Sequence, residues 1–161
     1  MLVIPLIATI YSYIPMEFEA KNTIGGNQLF LLDNCNMFMF GILESKLHTI
    51  WTKALCGKLG KGLICSNTMI YNNFPWPSPT SEQKAKIEAT AQAILDARKN
   101  YPDSSLADLY DPLLMPQDLR KAHEANDKAV LEAYGLKASA SDNEIMAKLL
   151  KMYQDLVQTK D

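Results

Sequence analysis

Residues 57–68 combine glycine, lysine and small polar side chains in a pattern that suits contact with a nucleic acid. Lysine ammonium groups bind phosphates, and glycines let a backbone approach a duplex closely because they carry no Cβ atom. Serine, threonine and asparagine side chains can hydrogen-bond to phosphates or base edges. The candidate DNA-binding residues, including one lysine on the preceding helix, are Lys53, Lys58, Gly60, Lys61, Gly62, Ser66, Asn67 and Thr68. The same composition is also typical of an ordinary solvated loop, so both interpretations stay open at this point.

Motifs for catalysis or cofactor binding are missing from the sequence, which contains neither a GxxxxGK[ST] phosphate loop nor a GxGxxG segment. His48 has Thr52 one helical turn later, so it lacks a second metal ligand and is expected to be structural. His123, with Glu124 and Asp127 beside it, is predicted to make an ordinary charge contact on a helix surface. We therefore expect no catalytic, cofactor-binding or metal-binding residue in this chain.

Residues 72–77, Asn-Asn-Phe-Pro-Trp-Pro, superficially resemble the Asn-Pro-Pro-aromatic motif of DNA methyltransferases that modify amino groups. The match fails because Phe74 precedes the first proline and Trp76 separates the two prolines. Two prolines so close together exclude both a helix and a central strand. The segment is therefore predicted to be an extended connection in which Phe74 and Trp76 pack between the two halves of the chain.

Charge and cysteine content narrow the class of protein. The net charge of −2 gives no overall basic signature, so any DNA contact must come from a local basic patch. Three cysteines without CxxC spacing argue against a zinc site or a disulfide framework and favour buried thiols of a cytoplasmic protein. The apolar residues 1–10 lack a basic leader, include Pro5 and are too short to span a bilayer, so we expect a strand and no membrane partner.

Residues 1–77 are predicted to form a small β-containing subdomain with one long helix. The N-terminal residues and Leu29–Leu32 favour two or three strands. Apolar residues then recur at spacings of three and four over residues 36–55, which predicts a single helix capped by Asn34 or Asn36 and stopped by Gly57.

Residues 78–161 are predicted to form an all-helical segment. Thr80 with Gln83 and Ser141 with Glu144 are capping-box pairs that mark two helix starts, and Gly135 is placed to end the helix between them. The predicted fold class is therefore α+β, with a domain boundary between residues 77 and 78.

The order of several motifs resembles the MmeI-like restriction–modification proteins. The segments that resemble the target-recognition domain of that family are residues 40–48 with Trp51, residues 56–59, and residues 66–68 leading to 71–77. The segments that resemble its helical C-terminal domain are residues 106–112, 115–116 and 119–123 with Asp127. The resemblance covers nearly the whole chain from about residue 38.

Family members join a nuclease, an adenine-N6 methyltransferase that uses S-adenosylmethionine, a target-recognition domain and C-terminal helices in one chain. The resemblance implies that this chain is a fragment that recognises double-stranded DNA for a methyltransferase module in the same parent chain or in a separate subunit. S-adenosylmethionine is expected in that module and not here, so this chain alone should neither methylate nor cut DNA.

The resemblance also places base reading between Lys58 and Ser66. Residues 62–65 are Gly-Leu-Ile-Cys and include no arginine or tyrosine, so Lys61 is the main candidate for reading a base. Contact with a thymine methyl group, or phosphate anchoring alone, are the other possibilities for this stretch.

A second hypothesis belongs to a different class of function. The acidic net charge and the amphipathic helices of residues 78–161 also fit a protein-interaction module that makes no contact with DNA.

Overall fold

The computed structural model describes residues 1–5, 7–9, 12–20, 29–59, 62–64 and 71–158. These residues form two small antiparallel sheets and a set of helices, which confirms the α+β class. In the first sheet β1 (Leu2–Pro5) is central, between β3 (Glu17–Phe18) and β4 (Leu29–Leu32). In the second sheet β6 (Gly62–Ile64) is central, between β2 (Ile7–Thr9) and β5 (Gly57–Leu59). The expected N-terminal strand is thus two short strands that belong to different sheets.

The single helix predicted over residues 36–55 is two helices, α1 (Met37–Leu43) and α2 (Lys46–Leu55). Asn36 caps α1, as expected, by accepting a hydrogen bond from the amide of Met39. The break occurs at Glu44 and Ser45. Ser45 adopts an extended backbone, and its hydroxyl caps α2. The side chain of Glu44 is buried and pairs with Arg98. The apolar period continues across the break, which is why it predicted one helix.

The helical half contains α3 (Ser81–Lys99), α4 (Leu106–Leu109), α5 (Gln117–Ala133) and α6 (Asp142–Gln158). The capping boxes predicted at the starts of α3 and α6 are both present. Gly135 follows α5 with φ of +70°, a left-handed conformation that favours glycine and ends the helix as predicted. None of the helices in the described part of the chain combines the length and hydropathy that a membrane span requires.

Three buried clusters hold the fold together, and each contains residues from both sides of residue 78. The first packs Trp51 and Phe74 against α5 and α6, the second packs Phe40 against Ala91, and the third includes Tyr13 among residues of α3, α4 and α5. The expected boundary at 77–78 lies in residues 74–80, which belong to no helix or strand. The hydrophobic core does not divide there.

Cys56 corrects one expectation from the sequence. It takes part in a disulfide bond, whereas Cys35 has a free thiol. Cys56 directly precedes β5 at the start of an antiparallel pair of strands, and such pairing brings residues from two chain segments opposite each other. The spacing of the cysteines along the sequence did not indicate this disulfide bond.

Candidate nucleic-acid interface

The region predicted to be a Gly/Lys-rich loop is in part a β-hairpin. Strands β5 and β6 pair antiparallel with Gly57 opposite Ile64 and Leu59 opposite Gly62. Strand β2 pairs with the other edge of β6, with Thr9 opposite Gly62. The hairpin is therefore part of a three-stranded sheet, and this support from residues 7–9 is what the sequence reasoning missed.

The structure places three of the eight candidate DNA-binding residues. Lys53 lies in the last turn of α2, Lys58 in β5 and Gly62 in β6, so all three belong to one continuous helix–hairpin unit. The remaining candidates, which lie outside the described residues, are Gly60, Lys61, Ser66, Asn67 and Thr68. The assignment of these eight residues to DNA contact stays a prediction.

Lys53 is half-buried at the C-terminal end of α2, where a positive charge interacts favourably with the helix dipole. Burial lowers the pKa of its ammonium group, the carboxylate of Asp142 opposes that shift, and the charge of Lys46 adds to it. A partly desolvated lysine of this kind would gain from contact with a phosphate, which supplies a second negative charge.

Helix α2 is held by aromatic packing on its buried face. The ring of Phe74 meets the ring of Trp51 edge-on at 6.0 Å and the ring of His48 at 5.1 Å. Trp76 packs on Phe74 at 5.2 Å, and the hydroxyl of Tyr134 on α5's end donates to the carbonyl of Pro75 at 3.0 Å. The predicted packing of Phe74 and Trp76 between the two halves is therefore confirmed, and His48 is buried against the same ring of Phe74.

A buried polar cluster lies behind α1 and α2 and joins them to the helical half. The guanidinium of Arg98 donates to the Glu44 carboxylate and to the carbonyl of Met16, each at 2.7 Å, and also to the hydroxyl of Tyr110. That hydroxyl lies 2.7 Å from Nε2 of His123. Because every member has a partner on another element, the cluster fixes the position of the α1–α2 break relative to α3 and α5.

The charges in this cluster are strongly coupled. Burial raises the pKa of Glu44, and the guanidinium of Arg98 opposes that shift. Burial by itself would lower the pKa of Arg98, but the charges of Glu44 and Tyr110 and the hydrogen bonds to both side chains together outweigh it and raise the pKa further above its ordinary value. The arginine therefore stays protonated, and its charge depends on Glu44 for compensation.

The predicted surface contact of His123 is wrong. His123 is fully buried, its ring stacks on that of Tyr13 at 4.1 Å, and it approaches the hydroxyl of Tyr110. Asp127 does not bind His123; its carboxylate accepts from the hydroxyl of Tyr13 and from the amide of Lys46, each at 2.8 Å. Helical spacing placed the two side chains on one face but could not show that Tyr13 covers His123 or that Tyr13 and Lys46 bind Asp127.

Sequence reasoning also missed Glu44, Arg98 and Tyr110. The available signal was Glu44 itself, a lone acid inside the apolar run of α1 and α2. An acid in such a position is retained only when a buried cation or several donors compensate it. Among the residues that the structure describes, no three histidine, cysteine or acidic side chains lie close enough together to hold a metal ion.

Comparison with known proteins matches the two halves of the chain to two family models. Residues 1–78 match the model described as MmeI, target recognition domain, and residues 79–160 match the model described as MmeI, C-terminal domain. The chain is 37% identical over 146 residues to DNA methyltransferase A of Bacillus subtilis (strain 168), an alignment that covers 91% of this chain and 16% of that protein.

A solved structure is similar over almost the whole chain. The Type IIL restriction–modification enzyme MmeI in complex with DNA superposes with a TM-score of 0.93 at 38% sequence identity, covering 98% of this chain and 21% of that one. This chain thus spans less than a quarter of the length of either relative.

Proposed function

Because the chain belongs to the MmeI family, we propose that it recognises a DNA target and positions it for a methyltransferase module of a restriction–modification protein. That module would methylate adenine at N6 with S-adenosylmethionine, in the same parent chain or in a separate subunit. The observation that carries the proposal is the TM-score of 0.93 to an enzyme whose solved structure contains DNA.

The helix–hairpin unit supports a DNA-contacting role. A two-stranded ribbon fits the major groove of B-form DNA, where each base pair presents a distinct set of donors and acceptors. The hairpin β5–β6 has β2 along one side, and α2 enters it directly from the hydrophobic core. A rigid support of this kind reduces the ordering cost of binding, because the contacting segment does not need to fold on the duplex.

Because the net charge of the chain is −2, contact with DNA requires a local group of positive charges, and the lysines of this unit supply one. We propose that Lys58 anchors a phosphate and that Lys61 reads a base, with Lys53 adding charge at the end of α2. Residues 62–65 carry no arginine or tyrosine, so contact between Leu63 or Ile64 and a thymine methyl group is the alternative source of base preference.

S-adenosylmethionine does not fit the described residues of this chain. A nucleotide-type cofactor is held where a glycine-rich turn joins a parallel strand to a helix. The strands described here belong to two small antiparallel sheets, and no glycine-rich strand–turn–helix occurs among them. We therefore propose that the cofactor binds in the methyltransferase module.

Titration of a labelled duplex pool at increasing salt tests the proposal, and selection from that pool supplies the preferred sequence. We expect the affinity to fall steeply with salt because phosphate contacts release counterions. Lys58→Ala should weaken binding to all duplexes alike and flatten the salt dependence. Lys61→Ala should cost about 1–3 kcal/mol on the preferred duplex and relax the preference at one base pair.

The matched control is Lys84→Ala, because Lys84 is an exposed lysine on α3, far along the chain from the hairpin. The Lys84→Ala variant should bind the duplex pool with the affinity and salt dependence of the wild type. An equal loss with Lys84→Ala and Lys58→Ala would contradict a specific role for the hairpin, and a folded wild-type chain that binds no duplex at low salt would contradict the proposed function.

One observation favours the second candidate function, a helical protein-interaction module. Leu113 and Leu114, in the turn between α4 and α5, expose 92% and 68% of their surface. Large apolar side chains so exposed are typical of contact surfaces for other proteins. Absence of duplex binding by the folded chain would support this alternative.

A further inference from the structure

The first residue of α2 is held from two sides by acids of the helical half. The amide of Lys46 donates to Oδ1 of Asp127, on α5, at 2.8 Å. The ammonium group of Lys46 pairs with the carboxylate of Asp142, at the start of α6, at 2.7 Å. Oδ2 of Asp127 accepts from the hydroxyl of Tyr13 at 2.8 Å, so one carboxylate binds two segments of the N-terminal half.

We infer that Asp127 is a positioning residue that fixes the N-terminal end of α2 against α5 and thereby sets the placement of the β5–β6 hairpin at the other end of α2. This inference rests on the proposed function only where it concerns DNA. The fixing of α2 itself is a property of the chain alone.

The sequence of α2 cannot supply this anchor by itself. The first amides of a helix have no partner within the helix, and a nearby negative charge stabilises them. Ser45 satisfies the amide of His48, but the first turn of α2 contains no acid. Asp127 provides the missing negative charge from 81 positions further along the chain.

A shift at this end is transmitted to the hairpin because α2 is short and stiff. Ten residues of α-helix span about 15 Å, and only Cys56 separates the last of them from β5. Trp51 and Phe74 support the middle of the helix. We therefore expect the helix to turn as one body when its first residue is released.

The two hydrogen bonds that Asp127 accepts should weaken when the pH falls below about 6. Burial raises the pKa of Asp127 to about 6, the hydrogen bonds from Lys46 and Tyr13 and the charge of Lys46 oppose the shift, and the charge of Glu124 adds to it. Protonation removes the negative charge at the start of α2 and weakens both hydrogen bonds. The titratable and charged groups around Asp127 are Tyr13 in the 12–16 segment, Lys46 on α2, Glu124 and Lys128 on α5, and Asp142 on α6 through its pair with Lys46.

The test follows the Lys46 amide by NMR as the pH is lowered from 8 to 4. In the wild type its proton shift should titrate with a midpoint near the pKa of about 6. Asp127→Asn should abolish that titration and keep the hydrogen bond, because the side-chain amide oxygen still accepts. Asp127→Ala should reduce hydrogen-exchange protection in the first turn of α2 by about tenfold or more.

Glu124→Gln is the matched control, since it removes one negative charge one turn earlier on the same helix and should leave the titration in place. A titration of the Lys46 amide that persists in Asp127→Asn would overturn the inference. So would unchanged protection in Asp127→Ala. If Asp127→Ala does not fold, the comparison of the wild type with Asp127→Asn still decides.

Binding to the duplex pool at pH 7.5 adds the functional readout. We expect Asp127→Ala to bind about two- to thirtyfold more weakly than the wild type, with Asp127→Asn in between. Equal affinities in the three proteins would overturn the link from Asp127 to the hairpin. Failure of the wild type to bind any duplex would instead count against the proposed function, and the NMR result would still decide whether Asp127 anchors α2.

Discussion

The guanidinium of Arg98 and the carboxylate of Glu44 lie 2.7 Å apart, with 9% of the arginine side chain and none of the glutamate side chain exposed. The pair joins α3 to the break between α1 and α2, so it crosses the junction between the segments that match separate family models. Together with the three shared clusters, it makes the C-terminal helices the structural support of the helix–hairpin unit.

Glu44→Gln should destabilise the fold strongly. The variant leaves the charge of Arg98 buried without a counterion, and such a loss costs about 3–5 kcal/mol. Urea unfolding at pH 7 measures the free energy of unfolding. Lys86→Met, which breaks an exposed ion pair with Glu132, is the control and should change it little. A cost for Glu44→Gln as small as that of the control would show that the buried pair is not coupled in this way.

Gly41→Ala should destabilise the contact between α1 and α3. A Cβ atom at residue 41 would meet Cγ2 of Ile87 at 2.7 Å and Cβ of Ala91 at 3.0 Å, and both neighbours are fully buried. We expect a loss of about 1–3 kcal/mol in thermal or urea unfolding, larger than the helix-propensity gain of alanine. Adding Ile87→Leu removes the Cγ2 methyl group and should recover part of the loss. If the double variant is no more stable than Gly41→Ala, the contact with Cγ2 of Ile87 is not the cause of the destabilisation.

Asn126→Leu should destabilise the fold at the break between α1 and α2. In a continuous helix the amide of Ser45 would bond to the carbonyl of Gly41, but here it bonds to Ile42. The side-chain amide of Asn126 donates to the Gly41 carbonyl instead, at 2.7 Å. Its loss should cost about 1–3 kcal/mol because the carbonyl is buried.

Thr90→Val is the control for Asn126→Leu, since it removes only the hydroxyl that bonds to Oδ1 of Asn126. It should cost less, because the donation to Gly41 is preserved. The explanation fails if the two variants are equally destabilised in urea.

His123 should make stability depend on pH. Burial, with a further contribution from the charge of Arg98, lowers the pKa of His123 from 6.5 to about 3. Between these values the unfolded chain binds the proton and the folded chain does not, so the free energy of unfolding falls as the pH is lowered. The difference between wild type and His123→Gln should change by about 1.4 kcal/mol per pH unit in this window. Urea unfolding at several pH values measures it.

Asp127→Asn is the opposite-sign control for His123. The pKa of Asp127 is raised from 3.8 to about 6, because the cost of burying the charged carboxylate exceeds what its hydrogen bonds and the charge of Lys46 return, so the folded chain binds this proton first and stability falls as the pH rises through that range. The wild type should therefore lose stability relative to Asp127→Asn between about pH 4 and 6. Slopes of the same sign for the two variants would mean that one of the assignments is wrong.

Local features were predictable from the sequence. The capping boxes at Thr80 and Ser141, the Asn36 cap and the stop at Gly135 involve residues within one turn of each other. The absence of a helix or strand around Trp76 follows from proline geometry alone. The hairpin was missed because β5 and β6 are only three residues each and their sheet is completed by residues 7–9, which the local composition of glycine and lysine does not show.

Residue type and spacing alone therefore determined the α+β class, the apolar face shared by α1 and α2, the lysines available for a phosphate, and the helix boundaries at Asn36, Thr80, Gly135 and Ser141. Tertiary structure alone decided that the helix breaks at Glu44, that His123 is buried and that Asp127 anchors α2. These outcomes depend on pairs such as Glu44 with Arg98 and Lys46 with Asp127, which are 54 and 81 positions apart. Burial makes such pairs strong and unpaired partners costly, so the environment created by the whole fold, and not the local pattern, sets their conformation.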